Sequence, residues 1–280
     1  MSSNQTHGSF VIAGGAIDMD RDCLILRKFV ELAGGRSARI VVMTVATARP
    51  REAREEYTQA FKRLDADRVR VIDTAKREDA NDSRALDDVK DATGVFFTGG
   101  DQDRIYKLIK DTEIDALLHQ RYNEPDFVIG GTSAGAHAMS NMMIVEGSSN
   151  GNPRYGISKL DPGLGFLQGV IIDSHFDQRG RLGRLLSALA LQPHMWGLGL
   201  DENTAVVVKD NQFIVIGENA VNIVDVSQTS HINLQRLRRG EGLALWGVKL
   251  DILPHGYGFD IENQMPILEE NLLKRELIKI

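Results

Sequence analysis

Short apolar runs alternate with longer amphipathic segments through the first half of the chain, and no other feature of the sequence restricts the fold as much. Ser9 to Ala13 reads as a strand and is followed by a helix around Asp20 to Leu32. Further strands are expected at Ala38 to Val45, Val69 to Ile72, Gly94 to Thr98 and Phe127 to Gly130. Helical segments fall between them at Arg51 to Leu64, at Ser83 to Asp91 and from Gln102 into the 110s, and Ala134 opens another. This βα alternation predicts a mainly parallel sheet covered by helices on both faces. From Val170 the rhythm changes. A strand at Val170 to Asp173 and a helix at Arg181 to Leu191 precede four closely spaced runs, Gly197 to Leu200, Ala205 to Lys209, Gln212 to Ile216 and Ala220 to Asp225. These read as antiparallel hairpins, and Leu243 to Leu253 adds further β structure. Gly147 to Gly165 is rich in Gly, Ser, Asn and Pro and is expected to be a mobile loop. With no interdomain linker in view, residues 9–280 are expected to form one α/β domain behind a disordered tail, 1–8.

Composition matters here mainly for what it excludes. A net charge of -6 and a pI near 5.7 give no overall positive field, so neither nucleic acid nor a membrane surface is an expected partner. Cys23 is the only cysteine, which rules out an intramolecular disulfide and suits a reducing cytoplasm. Met1 to Gly8 has neither the basic start nor the apolar stretch of a signal peptide. No apolar run approaches the roughly 20 residues of a membrane-spanning helix. A soluble, cytoplasmic protein is expected.

The strongest chemical signal is Gly131-Thr132-Ser133-Ala134-Gly135, a G-x-S-x-G pattern after an apolar strand and before a helix. A turn that tight leaves no room for side chains beside the serine, and it projects the hydroxyl at the C-terminal edge of the sheet, where open α/β sheets bind ligands. The Ala134 amide can donate to a developing oxyanion. Serine needs a base oriented by a third group. Of seven histidines, His175 follows the strand Val170 to Asp173 and so is expected at the same sheet edge as the serine. His137, one helical turn beyond Ser133, reads as a packing residue. For the orienting acid, Gly197 to Leu200 leads into Asp201-Glu202. Neighbouring strand residues face opposite ways, so only one of the two can face His175, and the pattern does not choose between them.

At these residues the chain closely resembles the cyanophycinases, in the serine peptidase family that also contains peptidase E. The resemblance runs through Gly14-Gly15, Phe97 to Gln102, Gly131 to Ala136, Gly163 to Gly165, Asp173 to Phe176, Arg179 to Leu185, Gly199 to Glu202 and Gly217-Glu218. It implies a three-layer α/β/α sandwich like the class I glutamine amidotransferase domain, with the β-hairpins of the C-terminal half added. It implies a Ser133, His175, Glu202 triad, an oxyanion hole of the Gly100 and Ala134 amides, and a homodimer. The implied substrate is cyanophycin, a polyaspartate backbone with arginine joined to each side-chain carboxyl, and the implied product is the β-aspartyl-arginine dipeptide. Residues matching Gln102, Asp173, Arg179, Arg181 and Arg184 line the substrate pocket in that family. Cyanobacterial members usually carry glutamine where this chain has Ser174. The alternatives are a peptidase E-like aspartyl dipeptidase and a non-catalytic amidotransferase-like binding domain.

The residues themselves bear on the substrate. Arg179, Arg181 and Arg184 enter a helix whose Leu182, Leu185, Leu186 and Leu189 form one apolar stripe. Cations at a helix start oppose its dipole by about 0.3–1 kcal/mol each, so they call for anions. Those anions are either neighbouring carboxylates such as Asp173 and Asp177 or a ligand rich in carboxylates. Asp173 and Gln102 could receive guanidinium and amide groups of a substrate. Gly99-Gly100-Asp101 also reads as a turn with a helix N-cap at Asp101. Neither a phosphate-binding loop nor metal-ligand spacing occurs in the sequence, and no cofactor is expected.

Overall fold

The computed structural model describes residues 7–268, so the expectations for 1–6 and for the charged end, 269–280, lie outside the described residues. Residues 7 and 8 belong to the fold rather than to a tail. Gly8 donates its N–H to the Tyr122 carbonyl at 2.7 Å, and the His7 ring stacks on Tyr122.

Five strands build the parallel half of the main sheet: β1 (Ser9–Ala13), β2 (Arg39–Met43), β3 (Arg68–Ile72), β4 (Gly94–Phe97) and β5 (Val128–Thr132). They lie side by side in the order β1-β5-β4-β2-β3, all parallel. The intervening helices are α1 (Leu24–Leu32), α2 (Pro50–Arg63), α3 (Ser83–Asp91), α4 (Gln102–Ile109) and α5 (Glu113–Tyr122). The helix expected from Gln102 onward is thus two helices. Asp111 turns the chain at a φ of 59°, and the Thr112 hydroxyl restarts it by accepting the Asp115 N–H. Alternation along each strand sorts the helices onto two faces. Val11, Val42 and Phe96 meet Phe29 of α1 and Phe61 of α2, whereas Ile12, Met43 and Phe97 belong to the core of Val89, Ile105 and Leu118 from α3, α4 and α5. Each fully buried Phe or Leu contributes about 1.5–3 kcal/mol.

After β5 come the single turn α6 (Ala134–His137) and the strands β6 (Met142–Gly147) and β7 (Ser158–Pro162). The last two pair as an antiparallel hairpin, so Ser158–Pro162, part of the segment expected to be a loop, is sheet. Turn-forming residues dominate its composition, but the β6 side brings the buried Met143 and Ile144, and these fix the pairing.

The C-terminal half comprises β8 (Val170–Ser174), α7 (Leu182–Leu191), β9 (Trp196–Leu200), β10 (Thr204–Lys209), β11 (Gln212–Gly217) and β12 (Ala220–Asp225). The strands β13 (His231–Ile232), β14 (Leu245–Trp246), β15 (Lys249–Pro254), β16 (Gly258–Asp260) and β17 (Met265–Ile267) follow. β10 runs antiparallel against β1 and extends the main sheet to nine strands, in the order β17-β16-β11-β10-β1-β5-β4-β2-β3. A second sheet of four has the order β15-β12-β9-β8. The four runs expected as successive hairpins therefore divide between sheets. β10 and β11 pair with each other in the main sheet, while β9 and β12 pair in the second. The chain crosses from one sheet to the other at 201–203 and returns at 218–219.

The two sheets share a core, in which Ile172, Leu198, Leu200 and Val221 of the second join Ile12, Val206 and Val215 of the first. α7 covers the far side of the second sheet, with Leu185 and Leu189 in one cluster with Ile171 and Val224. Helices on both faces of a central, mainly parallel sheet give the expected α/β/α layering, and the second sheet is an addition to it.

Candidate active site

Ser133 sits where β5 ends and α6 begins, in a backbone conformation of φ 52° and ψ -110° that L-residues rarely adopt. Such a residue costs about 1–3 kcal/mol and persists only when its surroundings hold it. The Ser133 N–H donates to the Ala13 carbonyl at 3.0 Å, and its carbonyl accepts from Ala136 and His137. A Cβ on Gly131 would lie 2.7 Å from the Gly135 backbone, so both glycines of the motif are needed to close the turn. His137 is buried, as a packing residue should be, but its Nε2 also accepts the Ser174 N–H at 3.0 Å. That bond ties the serine's helix to the end of β8.

His175 extends from β8, with a φ of 47°, and its N–H donates to the Gly14 carbonyl at 2.7 Å. Its strand belongs to the second sheet, not to the sheet of Ser133 as expected. Pairing with β12 draws β9, and β8 with it, away from the main sheet, and stacking of the two sheets brings their ends together. The Ser133 hydroxyl lies 3.0 Å from His175 Nε2, and His175 Nδ1 lies 2.6 Å from Glu202 Oε1. An Nδ1–H donating to the carboxylate leaves the Nε2 lone pair to accept the serine proton. Burial pushes the imidazole below its ordinary pKa, the bond to Glu202 opposes this, and the nearby Arg179 charge adds to the lowering. At neutral pH the ring is a free base.

Glu202 lies on the crossing from β9 to β10. Its N–H donates to Gln178 Oε1 at 2.9 Å, and its carbonyl accepts from Asn219 Nδ2 at 2.8 Å. Asp201 faces the other way and accepts the Asp177 and Ala220 N–H groups at 3.0 and 3.3 Å. Burial raises the pKa of this second carboxyl. The geometry thus puts Glu202, not Asp201, against the imidazole.

The loop after β4 runs beside the serine, where a Cβ on Gly99 would be 3.4 Å from that of Ser133. Among the described residues the Gly100 and Ala134 amides have no acceptor. Asp101 does cap α4, through the Asp103 N–H at 3.0 Å, so the turn serves both purposes. Gln102 donates its Nε2 to the Ile144 carbonyl at 2.7 Å, which fastens α4 to the β6–β7 hairpin.

The three arginines separate. Asp173 is fully buried and receives Arg184 through Nε at 2.8 Å and Nη2 at 2.5 Å. Arg181 lies 3.4 Å from the same carboxylate and donates to the Ser174 carbonyl at 2.5 Å. Burial brings the Arg181 guanidinium down to about 10, which leaves it charged at neutral pH. Neighbouring carboxylate, rather than ligand, is therefore the anion for Arg181 and Arg184. Arg179 alone is exposed and forms no ion pair among the described residues. Gln178 and the carbonyls of Gly14 and Gly15 were not singled out in the sequence as supports of the site. The glycine pair at the end of an apolar strand was a legible signal, whereas Gln178 carried none.

No three His, Cys, Asp or Glu side chains among the described residues converge to hold a metal ion, and no helix among them is long and apolar enough to cross a membrane. A hydroxyl, an imidazole and a carboxylate in series, carried on a mixed α/β fold with a parallel central sheet, define a serine peptidase. Residues 10–216 match the model of peptidase family S51, and the chain belongs to that family. It is 35% identical over 260 residues to a cyanophycinase of Geminocystis herdmanii, which covers 92% of this chain and 96% of that protein. A cyanophycinase of Trichormus variabilis is 34% identical over 257 residues, covering 91% and 86%. Among solved structures, a peptidase from an acI-B1 Actinobacterium superposes with a TM-score of 0.66 at 19% identity, covering 91% of this chain and 98% of that one. A putative peptidase E protein from Listeria monocytogenes gives 0.51 at 13% identity, covering 76% and 100%. At these identities the structural likeness is one of fold.

Proposed function

We propose that this peptidase hydrolyses cyanophycin to β-aspartyl-arginine dipeptides through an acyl-enzyme on Ser133. The observation that carries the reading is the unbroken hydrogen-bonded series from Ser133 through His175 to Glu202, in a chain about a third identical to cyanophycinases along most of its length. His175 Nε2 takes the hydroxyl proton as Ser133 Oγ attacks the backbone carbonyl of an aspartyl residue. The Gly100 and Ala134 amides, which have no other acceptor among the described residues, receive the oxyanion. Glu202 holds the imidazole in the right tautomer and offsets its charge once it is protonated. As the C–N bond breaks, His175 returns the proton to the leaving amine. Water then attacks the ester by the same route and regenerates the serine.

In this reading Arg179 meets a substrate carboxylate, and Gln102 meets the substrate with its Oε1. Asp173, Arg181 and Arg184 form the charged wall behind them. A homodimer in the cytoplasm is part of the same proposal and rests on the resemblance. The test is incubation with purified cyanophycin and mass analysis of the products, beside the Ser133→Ala variant. The wild type should release β-aspartyl-arginine, and Ser133→Ala should be slower by on the order of 10^3 or more and refuse a fluorophosphonate label. Cleavage of short α-linked aspartyl peptides with none of the polymer would overturn the substrate, and near-normal turnover by Ser133→Ala would overturn the nucleophile.

A further inference from the structure

Four arginines outside the site stand together without carboxylate partners among the described residues. Arg236, Arg238 and Arg239 fall within four residues of the loop between β13 and β14, and Arg154 lies in the loop between β6 and β7. All four are exposed, and none forms an ion pair among the described residues. Arg238 lies three residues from Glu241, but that carboxylate is engaged by the Arg238 backbone N–H at 2.8 Å. In a chain with a net charge of -6, such a cluster repels itself and is not explained by an overall excess of cations.

The cluster is also built rather than scattered. Tyr155 donates its N–H to the Glu241 carbonyl at 2.9 Å, Gly240 to the Tyr155 carbonyl at 2.8 Å, and Leu243 to the Pro153 carbonyl at 2.9 Å. The Arg154 guanidinium supports the Gly240 carbonyl at 3.0 Å, and the Arg239 stem lies across Gly156. Two loops remote in sequence are thereby locked into one surface.

A groove of about 550 Å³ beside this surface is lined by Phe176 and Asp177, which follow His175 in the chain, and also by Gly151, Asn152 and Pro153. The next residue is Arg154, whose N–H donates to Ser187 Oγ on α7 at 3.0 Å. Earlier in the same loop, Asn150 donates its N–H to the carbonyl of Gly180 at 3.1 Å, next in sequence to Arg179, which forms no ion pair among the described residues.

We propose that Arg154, Arg236, Arg238 and Arg239 form an accessory binding surface for the carboxylates of a polymeric substrate. The inference rests on the cyanophycin reading and deepens it. In a polymer whose units are β-aspartyl-arginine, each arginine is joined through its amine and so presents a free carboxylate beside its guanidinium. Such a chain needs cations at intervals beyond the cleaved unit, with an occasional anion such as Asp177 for its guanidiniums. One exposed charge contact is weak, but several engaged by one tethered chain add up.

The test replaces Arg236, Arg238 and Arg239 together by Gln and leaves Arg154 in place, since it also props the loop. Steady-state kinetics are measured on long cyanophycin and on an oligomer of two or three dipeptide units, at low and high salt, with thermal melting alongside. The expected result is a KM on the polymer raised about tenfold, with kcat, the oligomer kinetics and the melting temperature unchanged. Much of the salt dependence of polymer cleavage should disappear, and the Arg→Lys triple variant should recover most of the affinity. If the wild type cleaves the polymer and the Gln variant does so with the same KM, the accessory surface is refuted while the functional reading stands. Equal losses on polymer and oligomer with a lowered melting temperature would reduce the cluster to a structural role. If the wild type does not cleave cyanophycin, the functional reading fails first and this inference with it.

Discussion

Arg179 and Arg184 are five residues apart, yet they live in different dielectric worlds. Arg184 is buried against a fully buried Asp173 in a two-point contact, and Arg179 stands in water beside the imidazole. Removing one member of a buried ion pair leaves the other charge desolvated and typically costs about 3–5 kcal/mol. Arg184→Ala should therefore lower the melting temperature markedly and affect turnover of every substrate alike. Arg179→Ala should leave melting unchanged and reduce kcat/KM on cyanophycin by roughly one to two decades, the worth of a charge-assisted contact. Melting curves and parallel kinetics on cyanophycin and a small activated ester separate the two, and an Arg179→Ala variant impaired equally on both substrates would refute its contact with substrate. The sequence presented these arginines as one cluster and left open whether carboxylates or ligand balanced them. Only the fold divides them, because α7 turns Arg181 and Arg184 inward against Asp173 and leaves Arg179 before its first turn.

Among the elements, the end of β1 does the most to assemble the site. The Ala13 carbonyl accepts from Ser133, the Gly14 carbonyl from His175 and the Gly15 carbonyl from Asn203, next to Glu202. Three consecutive carbonyls thus hold the three segments that carry the triad. Gly15 has a φ of 105°, and a Cβ there would fall on the His175 ring. Gly15→Ala should still fold, since the clash is with one half-buried side chain, but it should displace the imidazole from Ser133. Activity should drop by about two decades or more, as expected when a reacting group is misplaced by about 1 Å. Circular dichroism and fluorophosphonate labelling would check this, and normal labelling of Gly15→Ala would show that the glycine is not needed to seat the base. The glycine pair is plain in the sequence, but its use requires a strand from each of two sheets to arrive beside it.

For the whole molecule, the joint between the two sheets has a consequence for pH. His137 and His175 both sit there, and burial depresses both, with the Arg184 and Arg181 charges adding to the effect on His137. In the unfolded chain each ring takes up a proton near pH 6.5, while in the folded protein it resists until lower pH. The unfolded state therefore binds more protons in that interval, so stability is full above about pH 6.5 and falls as the pH drops toward the folded values. Melting temperature measured between about pH 5 and 8 should show this decline, and His137→Gln should flatten it; a pH-independent melting temperature would refute the account. The acid limb of kcat/KM should likewise lie below the value of free imidazole, since the base must be neutral.

The sequence by itself determined the parallel half of the main sheet, the strand–turn–helix around Ser133 and the placing of His175 at a strand end. These follow from periodicity and glycine placement, which are local properties of the chain. It did not determine that β8 and β9 leave the main sheet or that β6 and β7 pair, and its local pattern, apart from the family resemblance, did not choose Glu202 over Asp201 to face the imidazole. Those outcomes depend on which strands pair across long separations and on which side of a crossing a carboxylate emerges. Pairing energies of that kind are settled by burial and packing among remote residues, so only the tertiary structure decides them.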